Sequence, residues 1–402
     1  MEQSKNMNLY TFLNKIKNNK ALVKFSLLIF FTEFVRGAYL NFIPLYSDHY
    51  LDYSVDTIGA VVCAFFLAET LSQIGVGWLL DRFNNRIILV VGLIISFFSI
   101  LLLKFISSPI MLILEGALFG LGFAPVWIMV LGYVSKFDEQ KRAFSMGIIY
   151  SAWLSGLGLG TVLLSFLVGR GYIFALNILI VLWGICVVFG SLIKEGIRKE
   201  DGHIDAKKSL EMTYNELKTK KYLIPGLLLQ TLSISVLAPI IPIYLTSNKY
   251  VGLSTDYYGI ALSVIGLITV LFMGYFGSLT KKVGINKLFI YGMFLTSFSI
   301  LGMGNTKLLY IIMAFGIMLA ISYSAILPAW NGILANNIRE DIRGIMWGSF
   351  STIEGLGRAI GALLGGLLGK NFNLHVSFNL SATAIFTLAL YYLYLNRKKT
   401  LN

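Results

Sequence analysis

Apolar residues run through this chain in blocks long enough to cross a lipid bilayer, separated by polar loops of a few residues. The first block, "LIFFTEFVRGAYLNFIPLY" (28–46), admits only Glu33 and Arg36 as charges. A transmembrane helix needs about 20 predominantly apolar residues. The pattern predicts such spans near 22–46, 55–80, 87–106, 109–134, 144–168 and 172–193. A second set follows near 222–246, 257–280, 285–304, 307–335, 344–369 and 374–395. One long polar stretch, "KEGIRKEDGHIDAKKSLEMTYNELKTKK" (194–221), is too charged to be a span and too short to be a domain. It reads as a cytoplasmic linker between an N-terminal half, 1–193, and a C-terminal half, 222–402. The expected fold is an all-α membrane protein with twelve transmembrane helices in two six-helix halves.

Composition removes the soluble alternatives. Of 402 residues, 56% are hydrophobic and only 13% charged, and the mean hydropathy is +0.75. A soluble chain of this length needs more polar surface than that. The net charge of +13 would suggest a nucleic-acid partner in a soluble protein. Here the basic residues sort by side. With the N-terminus inside, the outer loops hold only Lys104, Arg170, Lys249, Lys307 and Lys370, while Arg36 and Arg358 fall within spans and the other Lys and Arg lie inside. Basic residues concentrate in cytoplasmic loops, so the expectation is both termini cytoplasmic, in a multi-pass protein of the cell membrane, with no nucleic acid as partner. The segment before the first span is polar and basic, which speaks against a cleavable signal peptide. Cys63 and Cys186 lie in apolar runs and read as small buried hydrophobes.

The halves repeat each other at an offset of about 200 residues. "FIPLY" (42–46) lies over "IIPIY" (240–244), "GWLLDRFNNR" (77–86) over "GSLTKKVGIN" (277–286), and "APVW" (124–127) over "LPAW" (327–330). "KRAFSMGIIYSAWLSGLGLG" (141–160) lies over "IRGIMWGSFSTIEGLGRAIG" (342–361). Parallel repeats of this kind place a substrate site near the bilayer midplane, between the halves. Over essentially its whole length the chain resembles the major facilitator superfamily. The marker is the loop after span two, Gly-x-x-x-Asp-Arg-x-x-x-Arg, here Gly77, Asp81, Arg82 and Arg86, with the related Arg142 after span four. The resemblance implies that these residues form a conformational gate on the cytoplasmic side. Anchoring of basic residues at the inner face accounts for Arg82 and Arg86, though not for Asp81.

Departures from the repeat point to the coupling chemistry. Glu33 lies opposite Thr231, Arg36 opposite Ile234, and Glu69 opposite Thr269. Glu33 and Arg36 are three residues apart, on one helix face. They read either as a buried ion pair or as a proton site, since desolvation and a neighbouring guanidinium act in opposite senses on a carboxylate. Glu69 is a second candidate acid. Glu115 on span four is a weaker one, expected to approach the outer interface. Glu354 and Arg358 have the i, i+4 spacing that favours an ion pair; they read as a structural pair or as lining of the cavity. "GLGLG" (156–160) and "GLGRAIGALLGG" (355–366) suit close helix packing. Trp127 and Trp330 occupy equivalent places, and Trp153 lies within span five. Each can stack on a sugar ring or pack within the bundle.

A closer resemblance follows from "EFVRGAY", "APVW", "YSAWLSGLGLG", "PGLLLQ" with "APIIPIY", and "LPAWN". Together they look like a narrower group: the proton-coupled flippases that export the diglucosyl-diacylglycerol anchor of lipoteichoic acid in Gram-positive bacteria. That resemblance implies proton coupling at Glu33, Arg36 and the span-two acid, Glu69, where the group carries the shorter Asp. It implies sugar contacts at Trp127 and Trp153, and a monomer driven by a proton gradient without a cofactor. Glu354, Arg358 and Trp330 are the candidate substrate contacts in the second half. Few charges in that half would suit the acyl chains of an amphiphile. Proton-coupled multidrug or sugar exporters are the alternatives, although "GLGLGTVLLS" lacks the proline of the usual multidrug signature. A membrane-embedded sensor on a transporter scaffold is a further class, against which the loop motif and the intramembrane acids speak. No Gly-x-x-x-x-Gly-Lys-Ser/Thr nucleotide motif is present. His49, His203 and His375 sit in loops or near span ends with no nucleophile beside them, which argues against an enzyme.

Overall fold

The structure, a computed structural model, describes residues 19–135, 139–193, 214–338 and 343–398. The first half contains α1 (Lys20–His49), α2 (Val55–Arg82), α3 (Asn85–Leu102), α4 (Pro109–Ser135), α5 (Glu139–Val168) and α6 (Tyr172–Ser191). The second contains α7 (Ile224–Val236), α8 (Ile240–Thr246), α9 (Thr255–Val283), α10 (Ile285–Gly304), α11 (Leu309–Asn336), α12 (Arg343–Asn371) and α13 (Leu374–Arg397). No strand occurs among the described residues. Helices satisfy every backbone donor and acceptor within one segment, as hydrocarbon demands. Ten stretches, with α7 and α8 in one of them, are long and apolar enough to cross a membrane. The two other long helices, α1 and α12, are those that carry Glu33 with Arg36 and Glu354 with Arg358. Most of the linker, 194–213, lies outside the described residues, and 214–219 are helical.

The predicted span 222–246 is broken in two. The last turn of α7 closes with Leu237 N–H on Ile234 O and Ala238 N–H on Ser235 O, each at 3.1 Å, and Pro239 then begins α8. Proline has no N–H and its ring displaces the carbonyl four residues earlier. Under the repeat, Asn41 stands where Pro239 does, and α1 continues there unbroken despite Pro44.

Each half has its own apolar core. Phe25, Phe65, Phe119, Phe123 and Trp183 centre the first; Leu227, Tyr244, Phe289, Trp330 and Tyr392 centre the second. Large apolar side chains such as Leu114, Val181, Leu267 and Phe298 are exposed around the outside, the surface a bilayer would cover. The glycine runs do the packing expected of them. Gly156 and Gly160 of α5 sit against the backbone of Phe30 and Phe34 on α1. On α12, Gly357, Gly361 and Gly365 meet α7, while Gly355 and Gly366 face α2 of the other half.

Contacts between the halves are concentrated at one end. Alpha-carbon ridges of α2 and α12 run antiparallel there, so a Cβ at Gly59 would lie 2.7 Å from both Ala362 O and Gly366 Cα. Asp56 and Lys370 form an ion pair of 2.8 Å across the same seam. Tyr258 of α9 donates to Asn41 Oδ1 of α1 at 2.9 Å, and Gly259 rests on Ser165. At the opposite end, where the described chain begins and finishes, Gly75, Gly77, Gly147, Gly277 and Gly348 have no described atom within 4 Å of where a Cβ would stand. Among the described residues the bundle is sealed at one end and parted at the other.

Candidate functional site

α1 carries the centre of the site. Its N-terminus is fixed by Asn19, whose Oδ1 accepts from Leu22 N–H at 3.1 Å and from Tyr133 OH at 3.0 Å. Four to five turns on, Glu33 and Arg36 face inward, 0% and 5% exposed. Arg36 Nε donates to Glu33 Oε2 at 2.8 Å, and Trp127 Nε1 of α4 donates to Glu33 Oε1 at 2.7 Å. Each oxygen of Glu33 therefore accepts a hydrogen bond, one from a guanidinium and one from an indole. Arg36 Nη1 lies 3.8 Å from Glu69 Oε2 of α2, and the guanidinium sits over the Phe123 ring, 4.9 Å from its centroid. Glu69 is 3% exposed, and its Oε2 has no hydrogen bond among the described residues. With both acids ionised, one guanidinium thus serves two buried carboxylates, leaving one negative charge in excess. A proton cancels it.

Three aromatic rings adjoin this triad. Trp127 and Trp153 stand 6.0 Å apart at 74°, and Tyr150 lies 6.2 Å from the first and 6.0 Å from the second. Both indoles are half-buried and Tyr150 is exposed. Trp153 Nε1 has no partner among the described residues. Such a cluster offers apolar faces and an unused donor to a ring bearing hydroxyls. Tyr150 was not singled out in the sequence; its position one turn before Trp153 was the available signal.

The other sequence candidates fall in different surroundings. Glu115 is fully buried, accepting from Tyr39 OH at 2.7 Å and Ser99 Oγ at 2.8 Å inside the first half. Glu354 and Arg358 do not pair with each other. Trp330 Nε1 lies 3.4 Å from Glu354 Oε1, and Arg358 turns across the seam onto Phe66, 5.3 Å from its centroid. Trp330 is 3% exposed, stacked on Phe289 at 5.0 Å and edge-on to Tyr392; it orients Glu354 from within the core. Gly77 lies in the last turns of α2, and Arg86 is exposed in the first turn of α3. Asp81, Arg82 and Arg142 belong to helices α2 and α5, and their side chains lie outside the described residues. A cleft of about 520 Å³ bounded by Thr280, Asn286, Asn336 and Asn396 is set in the second half alone, at the parted end. No group of three metal-ligating side chains occurs among the described residues.

Ten membrane-crossing stretches and two further long helices in two repeats, with buried charge and aromatic rings at their centre, fit a transporter of the major facilitator class. The Major Facilitator Superfamily profile matches residues 25–224 and again 223–402, and the chain belongs to that superfamily. It is a multi-pass membrane protein. The chain is 30% identical over 397 residues to the proton-coupled antiporter flippase LtaA of Staphylococcus epidermidis, covering 94% of this chain and 95% of that one. It is 29% identical over 398 residues to LtaA of Staphylococcus aureus, covering 94% and 96%. The fold matches the crystal structure of a bacterial homologue of the human lysosomal transporter Spinster, in an inward-facing and occupied conformation. The TM-score there is 0.76 at 14% identity, with 95% of this chain and 97% of that chain covered.

Proposed function

We propose that this protein is a proton-coupled antiporter that flips a diglucosyl-diacylglycerol lipid anchor across a bacterial cell membrane by alternating access. Both termini are cytoplasmic in this reading, the orientation that the basic loops favour. The parted end then opens to the cytoplasm, where a glycolipid is loaded. The protein works as a monomer, with the proton gradient as its only energy source and no cofactor. The observation that carries the reading is the single guanidinium of Arg36 between the buried carboxylates of Glu33 and Glu69. A proton entering this triad neutralises its excess charge, and its departure restores it, so the electrostatic cost of the centre changes with each proton moved. Trp127, Trp153 and Tyr150 offer the sugars a stacking wall, and Trp153 Nε1 offers a donor. α7 and α8 contribute no charged residue to the facing half, which suits the acyl chains.

The test is movement of a fluorescent diglucosyl-diacylglycerol across proteoliposomes, with and without a pH gradient. Acceleration by the gradient is expected. Folded protein that leaves the lipid where it started, under either condition, contradicts the reading.

A further inference from the structure

α2 and α12 meet in an antiparallel register that can be followed residue by residue. Gly59 faces Gly366, Phe66 faces Arg358, and Thr70 faces Gly355. Phe66, Glu69 and Thr70 share one face of α2, so Glu69 falls within a turn of Arg358 along the seam. Side chains on a helix lean toward its N-terminus. Because the two helices are antiparallel, Glu69 leans toward the sealed end and Arg358 toward the parted end. Their charged groups converge.

Each of the two also lacks a full partner. Glu69 Oε2 makes no hydrogen bond among the described residues and stands 3.8 Å from a guanidinium already bonded to Glu33. Arg358 Nε is buried and makes no hydrogen bond among the described residues. The acid that its i, i+4 spacing would supply, Glu354, is turned to Trp330. A buried charge without its counter-charge is costly, and here an incompletely held carboxylate and an incompletely held cation lie on facing helices of different halves.

We infer that Arg358 is a coupling residue: it forms an ion pair with Glu69 when the halves rock to the alternate state, taking the place of Arg36. The exchange binds the state of the acid to the position of the halves. A proton on Glu69 removes its claim on either cation. On the elements packed against α2 near Glu69, the charged groups are Glu33 and Arg36 on α1 and Glu354 and Arg358 on α12. α4 brings only Glu115, held by Tyr39 and Ser99, and α3 only Arg86 at its far end. The inference rests on the transporter reading but not on the identity of its cargo.

Its test needs no substrate. Spin labels are placed at Ile87 and Lys287 near the parted end, and in a second protein at Ile110 and Tyr310 near the sealed end, with Cys63 and Cys186 replaced by alanine. Distances between the labels are measured by pulsed electron resonance in nanodiscs. The parent protein is expected to populate a second state in which the first distance shortens and the second lengthens. Arg358→Met should deplete that state at least tenfold, Arg358→Lys should retain it, and Glu69→Gln should deplete it as Arg358→Met does. The double variant Glu69→Gln with Arg358→Met should lose no more than either alone. Arg358→Gln, which keeps a polar side chain and removes only the charge, must show the same loss and decides the matter if the methionine variant does not fold. Unchanged distances in Arg358→Gln, or losses that multiply in the double variant, overturn the inference. Failure of the parent protein to move glycolipid would instead contradict the proposed cargo, and the distances would still judge Arg358.

Discussion

Trp127 and Glu33 lie 94 residues apart in the chain and are joined by a hydrogen bond of 2.7 Å from the indole Nε1 to Oε1. With Arg36 on the other oxygen, this bond fixes the carboxylate in one orientation at the centre of the first half. It also ties the stacking wall to the charged triad, so a ring that shifts against Trp127 moves the donor on which Glu33 depends.

Trp127→Phe keeps most of the ring and deletes the donor. It should lower gradient-driven transport about tenfold, which corresponds to roughly 1.4 kcal/mol, with the protein still folded. Combined with Glu33→Ala, the change should add nothing, because that variant already lacks the acceptor of the same bond. Initial rates in proteoliposomes, corrected for the amount of folded protein, provide the check; independent effects would separate the indole from the triad.

Glu115 is buried and hydrogen-bonded within the first half, which makes it a structural acid. Glu115→Ala leaves Tyr39 OH without its acceptor, while Ser99 Oγ keeps only the backbone carbonyl of residue 115. A loss of about 2 kcal/mol is expected, seen as a lower Tm in detergent, while the rate per folded molecule stays within about twofold, a change under 0.5 kcal/mol. Loss of coupling at unchanged Tm would assign Glu115 to the proton path.

At the sealed end the seam has no room for a side chain. A Cβ at Gly366 would stand 2.7 Å from Val55 O and 2.8 Å from Gly59 Cα, and backbone atoms do not yield as a flexible side chain does. Gly366→Val should therefore hold that end apart. A cysteine at Ser165, buried against Gly259 in the sealed state, should then react with a membrane-impermeant maleimide at least tenfold faster than in the parent. Equal rates would mean that the seam adapts without opening.

Much of this architecture is legible along the chain because bilayer crossing imposes a strict local rule: an apolar block of sufficient length, bounded by polar residues. The predicted block 109–134 became α4 (Pro109–Ser135) and the block 285–304 became α10 (Ile285–Gly304). The interruption between α7 and α8 was overlooked, although Pro239 marks it, because hydropathy alone runs smoothly through that stretch. Within the site, Glu33 and Arg36 could be paired from their spacing, since one helix fixes that relationship. The same rule failed for Glu354 and Arg358. Their partners, Trp330 and Phe66, come from other helices, and tertiary packing overrode a local preference worth only about 0.5 kcal/mol. Tyr150 and the enclosure of Glu115 were likewise decided by helix–helix geometry.

The most direct test of the account is proton movement itself. Proteoliposomes loaded with a pH-sensitive dye should record proton flux when diglucosyl-diacylglycerol is supplied to the parent protein, and the flux should vanish in Glu33→Gln while that variant keeps its fold and its Tm within a few degrees. Glycolipid-dependent proton flux that persists undiminished in folded Glu33→Gln would contradict the claim that the triad of Glu33, Arg36 and Glu69 links protons to transport.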